Sequence, residues 1–390
     1  MKLPKIIAFY FPQFHPIPEN DEWWGKGFTD WKLVKEAKPL FDGHEQPREP
    51  IGGDYYNPCD KETLKKQAAL AREYGVGGFM FYHYWFDGKL YLEKPMEVFL
   101  ENPDIDISFC VTWANESWTR SWEGKPEIFL QKQLHSNDKE IWENHFNYLL
   151  PFLSDPRAIK IDNKPVFLIY QPFLINNSRE MIAFWTELAI KNSLPGIYFI
   201  AVKNHDYQSS DFLVSYDAIM KFQPREAYAS KDFQDHNVSA RFQFLRKLPH
   251  GIQLYLSKFN QKISKHKLYD SKKLWKIILK KAFVNEFKNY KLKVFESAFF
   301  EWDNTPRYNK KAKIFTGLSH AQMKVNLKKL IVEAVKNASP YVFFNAWNEW
   351  SESAYLEPDK KNGFAKLEII KEVLEELEVE LKSEVVSNSK

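Results

Sequence analysis

Two carboxylates three residues apart, Glu349 and Glu352, close the apolar stretch YVFFNAWNEWSE at residues 341–352. They are embedded among tryptophans and asparagines. Paired acids beside aromatic surface suit glycosidic chemistry: one side chain gives a proton to the bridging oxygen, and the other takes a proton or carries charge. Pyranose C–H faces stack on indole and phenol rings, and the chain holds 13 Trp, 19 Tyr and 32 Phe among 390 residues. A large core accounts for most of the Phe. The plainer alternative for Glu349 and Glu352 is a solvated loop pair held by a salt bridge.

Such a pair needs a scaffold that aims it. Eight β-rich runs recur along the chain, at residues 5–11, 76–86, 107–113, 165–170, 197–202, 218–222, 294–300 and 341–345. Helical patterns lie between several of them, one at 61–74 stopped by Gly75 and another at 364–381. Near-continuous apolar strands alternating with helices predict parallel strands buried on both faces. Eight of them predict an α/β fold, a closed (β/α)8 TIM barrel. One barrel domain is expected over residues 1–384, with a basic, aromatic-rich helical insertion near 225–292 as a lid or subdomain and a disordered tail at 385–390. The insertion's basic face could attract an anionic glycan or a phosphate-bearing lipid carrier, or be a solvated helix face. WWG at 23–25 and GGDYY at 52–56 suit loops over the mouth.

Catalytic groups of a barrel lie at the C-terminal ends of its strands. Those positions give Tyr10, Gln13 and His15 after the first strand and Tyr82, His83 and Trp85 on the second. The third gives Trp113, Asn115 and Glu116, the fourth Gln171, and the fifth Lys203. The seventh gives Glu301, Trp302 and Arg307, and the eighth Trp347, Asn348, Trp350 and the two glutamates. These residue types stack on rings and pair with hydroxyls, so all are candidate substrate-binding residues.

Other chemistries find less support. No HExxH or Cys/His ligand spacing exists, so neither a metal nor an organic cofactor is expected. Asp104-Ile105-Asp106 resembles the Asp-x-Asp of a metal-dependent sugar transferase but precedes the third strand, at the wrong end of a barrel. The glycines at 75, 77 and 78 lead into a strand, not into the helix of a phosphate loop. Cys110 reads as an inert core thiol. A net charge of +4, from 55 basic and 51 acidic residues, is too even to imply nucleic acid. No apolar run reaches a membrane span, and the first residues do not read as a signal peptide, so a cytoplasmic location is the expectation.

The motifs AFYFPQFHPIPENDEWWGKGFTDW (8–31), GGDYYNP (52–58), FYHYWF (81–86) and AWNEWSESAYLEPD (346–359) resemble the WbsX family, a glycosyltransferase-like family found with O-antigen and capsule genes. That family is similar to glycoside hydrolase family 99, the endo-α-mannosidases and mannanases. The resemblance implies bond cleavage with net retention. Glu349 would act as general base on the substrate's own 2-hydroxyl, giving a 1,2-anhydro sugar, and Glu352 as general acid. The acid would need a raised pKa and its partner would stay ionised. Glu357 is read as a supporting residue. The small Ser351 and Ser353 leave room for a different glycan.

The preferred expectation is therefore a carbohydrate-active enzyme working on an oligosaccharide or polysaccharide of the cell surface, a glycoside hydrolase or transglycosylase. A glycosyltransferase using an activated or lipid-linked sugar is the second reading. A non-catalytic glycan-binding protein is the third.

Overall fold

Strands that are apolar at every position must be covered on both faces. In the computed structural model of this chain, which describes residues 2–207, 209–237 and 266–388, they are. The barrel strands are β1 (Lys5–Tyr10), β2 (Val76–Phe86), β3 (Ser108–Trp113), β4 (Lys164–Ile169), β5 (Tyr198–Lys203), β6 (Ala218–Lys221), β7 (Lys293–Ala298) and β8 (Tyr341–Phe344). Each pairs in parallel with its sequence neighbours, and β1 pairs with both β2 and β8, which closes the cylinder. The expected (β/α)8 barrel is what the chain forms.

Alternate residues of a strand point to opposite faces. Ile7, Phe9, Met80, Leu168, Ile200, Val202, Met220, Phe295 and Phe343 fill the barrel interior. Ile6, Ala8, Phe79, Phe81, Phe167 and Phe199 belong to the outer layer packed against the helices. Gly78 is required where β2 meets β3, since a Cβ there would lie 2.9 Å from the Ser108 carbonyl oxygen.

Helices between strands supply the outer wall. The helix Lys61–Glu73 starts on Asp60, whose carboxylate accepts from the Thr63 amide, and Ser319 forms a capping box with Gln322 at the start of His320–Lys336. The C-terminal helix Ala365–Asn388 lies beside His320–Lys336, linked by ion pairs from Lys324 and Lys328 to Glu372, Glu376 and Glu380. Residues 389–390 of the expected tail lie outside the described residues.

The long interval between β6 and β7 contains the short helices Arg225–Ala229 and Lys231–Asn237, a strand Lys267–Asp270 and a helix Ser271–Lys281. Lys267–Asp270 pairs with Lys313–Thr316, which in turn pairs with Trp302–Asp303, making a small sheet beside the barrel. Residues 238–265, which hold much of the expected basic insertion, lie outside the described residues. Among the described residues no helix is long and apolar enough to cross a membrane.

Candidate active site

The segment after β8 makes a tight two-stranded turn. Asn348–Glu349 pairs with Ala354–Tyr355 around the single 3-10 turn Trp350–Glu352, closed by Ser353 in the left-handed region. Asn348 anchors this turn to the end of β1: its Oδ1 accepts from the Phe11 amide at 2.7 Å and its Nδ2 donates to the Phe11 carbonyl at 3.0 Å. Both glutamates are thereby directed over the barrel mouth. They line one cavity with Gln13, Tyr82, Tyr84, Glu116, Trp118, Trp122, Tyr170, Arg225 and Arg307.

Arg307 organises the acids. One guanidinium nitrogen, Nη2, contacts Asp30 at 2.8 Å and Glu349 at 3.1 Å, and Nη1 contacts Glu352 at 3.1 Å. Asp30 is fixed from the other side by the Ser351 hydroxyl at 2.6 Å. Glu352 also accepts from the Trp302 indole N–H at 2.9 Å and lies 3.5 Å from Arg225. Arg307 itself sits in the short helix Thr305–Tyr308, which Asp303 starts by accepting from the Thr305 amide and hydroxyl. His44 and Gln46 hold Asp303 in turn.

Burial pushes the Glu349 carboxyl well above its ordinary range; Arg307 opposes this, while Glu352 and Asp30 add to it. Burial and the two neighbouring carboxylates thus outweigh the single guanidinium at Glu349. The raised group is thus the expected base, where the sequence reading expected the acid to be raised. A base of raised pKa is also a stronger base once ionised, which suits a sugar hydroxyl.

Residues 6–370 match the family described as Glycosyltransferase WbsX. The chain belongs to the WbsX family. The protein WxcX of Xanthomonas campestris pv. campestris (strain B100) is 37% identical over 219 residues, which is 56% of this chain and 31% of that protein. The chain therefore matches less than a third of that relative's length. Among solved structures, the family 99 endo-α-mannosidase of Bacteroides thetaiotaomicron is similar with a TM-score of 0.57 and 14% identity, covering 97% of this chain and 98% of that one. A glycoside hydrolase-like protein matches with a TM-score of 0.56 and 12% identity, over 96% and 94%. At these identities the structural likeness is one of fold. Family membership makes the chain a carbohydrate-active enzyme of glycosyltransferase-like or glycoside hydrolase-like kind.

In this WbsX-family chain, strand alternation separates the expected site residues. Gln13, Tyr82, Glu116, Arg307, Glu349 and Glu352 share the cavity. Trp302 lines the adjoining one. Asn115 and Gln171 lie just behind: Asn115 clamps the Gln171 backbone through both amide atoms, and Gln171 donates to Glu116. Tyr10, His83, Trp85, Trp113 and Lys203 have the opposite strand parity and face the helix layer. The Tyr10 hydroxyl donates to Gln67. His83 pairs with His145 at 2.9 Å and stacks on Tyr148, and burial takes its imidazole down to about 3. Trp85 stacks on His145, and the Trp113 indole donates to the Trp85 carbonyl.

Other expected residues are structural. Trp347 packs on Phe79, and Trp350 stacks on Tyr355 while donating to Glu357. His15 is buried and bonds the Pro12 carbonyl. Glu301 pairs with Lys366 and Arg48; despite burial, which raises it, these cations bring it down to about 2. Ser351 and Ser353 are buried against Asp30 and Gln46, so their small size serves packing rather than glycan room. Lys203 fills the centre of an acidic group, Asp206, Glu226 and Glu286, whose spacing would otherwise fit a cation.

The structure adds residues beyond the named candidates. Asp30 comes from the loop between β1 and β2, Tyr84 from inside β2, and Trp118 and Trp122 from the hairpin after β3. Trp23, Trp24, Trp118 and Trp122 surround a second cavity that shares Gln13 with the first. Inward parity on β2 could have found Tyr84. Nothing local marks Asp30.

Proposed function

We propose that this chain breaks or remakes a glycosidic bond in a surface polysaccharide of O-antigen or capsule type, with net retention, through Glu349 and Glu352. The supporting observation is the pair itself: both carboxylates border one open cavity and are held by the two ends of a single guanidinium. The tryptophan-lined cavity next door supplies stacking surface for further sugar rings.

The reading carries over the two-step route of the related hydrolases. Glu349 takes the proton of the substrate's 2-hydroxyl as O2 attacks C1. The C1–O bond to the departing sugar breaks, and Glu352 gives its proton to that oxygen. Water or an acceptor hydroxyl then opens the 1,2-anhydro ring at C1. Glu352 takes the incoming O–H proton and Glu349 returns its proton to O2. Water gives hydrolysis, and a sugar hydroxyl gives transfer. No metal is needed at any step.

A donor carrying a phosphate leaving group is a second reading, favoured by the basic residues beside Glu352. Turnover of a surface glycan by Glu349→Gln and Glu352→Gln tests the first. We expect both to lose at least about a hundredfold in kcat, the usual scale of a lost acid or base. Wild-type turnover in both would sink the assignment.

A further inference from the structure

Glu352 and Arg225 also border a third cavity, of about 370 Å³, which shares no lining residue with the tryptophan-lined one. Its charges are unbalanced. Arg225, Lys311 and Lys313 face it, against the single carboxylate of Glu352, which also contacts Arg307 at 3.1 Å. Among the described residues Lys311 and Lys313 make no ion pair, and Arg225 makes one, with Glu352 at 3.5 Å, while the charge of Glu116 reaches Arg225 from farther away. Aromatic faces hold two of the cations in place: Arg225 lies 5.5 Å from the Trp302 ring and Lys313 lies 4.7 Å from the Tyr228 ring. The local field shows in Tyr228. Burial raises its hydroxyl, yet the bond to Tyr269 and the charges of Lys313 and Lys267 bring it below the ordinary phenol range.

Three cations gathered on an open cavity repel one another unless an anion joins them. We infer that this cavity is a subsite for a sugar-borne oxyanion, a carboxylate or a phosphate, on the leaving-group side of the bond. The inference rests on the proposed role of Glu352 as proton donor to the departing oxygen, because that role places the leaving group over this cavity. A phosphate there would belong to an activated donor, and a carboxylate to an acidic polysaccharide.

Calorimetry with three probes tests it: inorganic phosphate, glucuronate and, as neutral control, methyl glucoside. We expect one or both anions to bind at least about tenfold tighter than the neutral sugar, the value of one charge-assisted contact. Preference for phosphate identifies the donor-type leaving group, and preference for glucuronate the acidic glycan. Lys311→Met, at an exposed position, and the double variant with Lys313→Met should each weaken the anion and leave methyl glucoside unchanged. Glu352→Gln should lose turnover and bind the anion as tightly or more tightly. Equal binding of all three probes, or anion binding indifferent to Lys311→Met, would overturn the subsite and leave the Glu349–Glu352 assignment standing. Wild-type turnover by Glu352→Gln would remove that assignment whatever the anion does.

Discussion

At the scale of single residues, Arg307 decides how the acids behave. Its guanidinium has two ends and meets three carboxylates, so the cluster is short of positive charge. Glu349 answers with a raised pKa, caused first by burial and then by Glu352 and Asp30. The sign of a mutation follows. Asp30 raises Glu349, so removing its charge lowers Glu349. If Glu349 must be ionised to work, the acidic limb of kcat/KM against pH reports its loss of a proton. Asp30→Asn is expected to move that limb to lower pH, and a pH–rate profile of the two enzymes checks it. A limb that stays put or moves upward would detach the limb from Glu349.

At the scale of elements, the turn after β8 is held by a buried acid rather than by chain propensity alone. Glu357 accepts from Tyr56 at 2.9 Å, Gln67 at 2.6 Å and Trp350 at 2.7 Å. Glu357→Ala leaves three buried donors without an acceptor and should cost about 2–4 kcal/mol of stability, read by urea unfolding. Burial pushes Glu357 up to about 7, above its unfolded value. Its folded form therefore binds a proton more tightly than its unfolded form, and the associated stability is full below the ordinary carboxylate range and lost as pH rises through about 7. Glu296, buried beside Lys221, is likewise pushed up to about 7. The Glu357→Ala variant should thus show a smaller, not an absent, fall in stability between pH 5 and 8.

At the scale of the whole molecule, three cavities run across the barrel mouth, joined by shared walls. Trp118 and Trp122 separate the first two, and Arg225 and Glu352 separate the first from the third. Trp122 stacks on Trp24 at 5.2 Å and covers the Arg307 guanidinium at 5.1 Å. A site extended in this way should prefer substrates with sugars on both sides of the cleaved bond. We expect kcat/KM to rise with oligosaccharide length, and Trp122→Ala to flatten that rise with a larger effect on KM than on kcat, by about tenfold. Equal kcat/KM for a monosaccharide glycoside and a long oligosaccharide would argue for a pocket rather than a cleft.

The sequence by itself determined the barrel, because eight apolar runs with helices between them have one economical way to bury both faces. It also determined that Glu349 and Glu352 stand together, because three residues of chain cannot separate them far. Strand-end reading went astray at Tyr10, His83, Trp85, Trp113 and Lys203, and the cause was already in the chain: their alternation with Ile7, Phe9, Met80 and Val202 places them on the helix side. The tertiary structure alone decided the rest. Asp30, Trp122, Arg225 and Arg307 come from four different connections between strands, and only closure of the cylinder brings them around Glu349 and Glu352. The raised pKa of Glu349 follows from that convergence, because burial and neighbouring charge are properties of the assembled mouth.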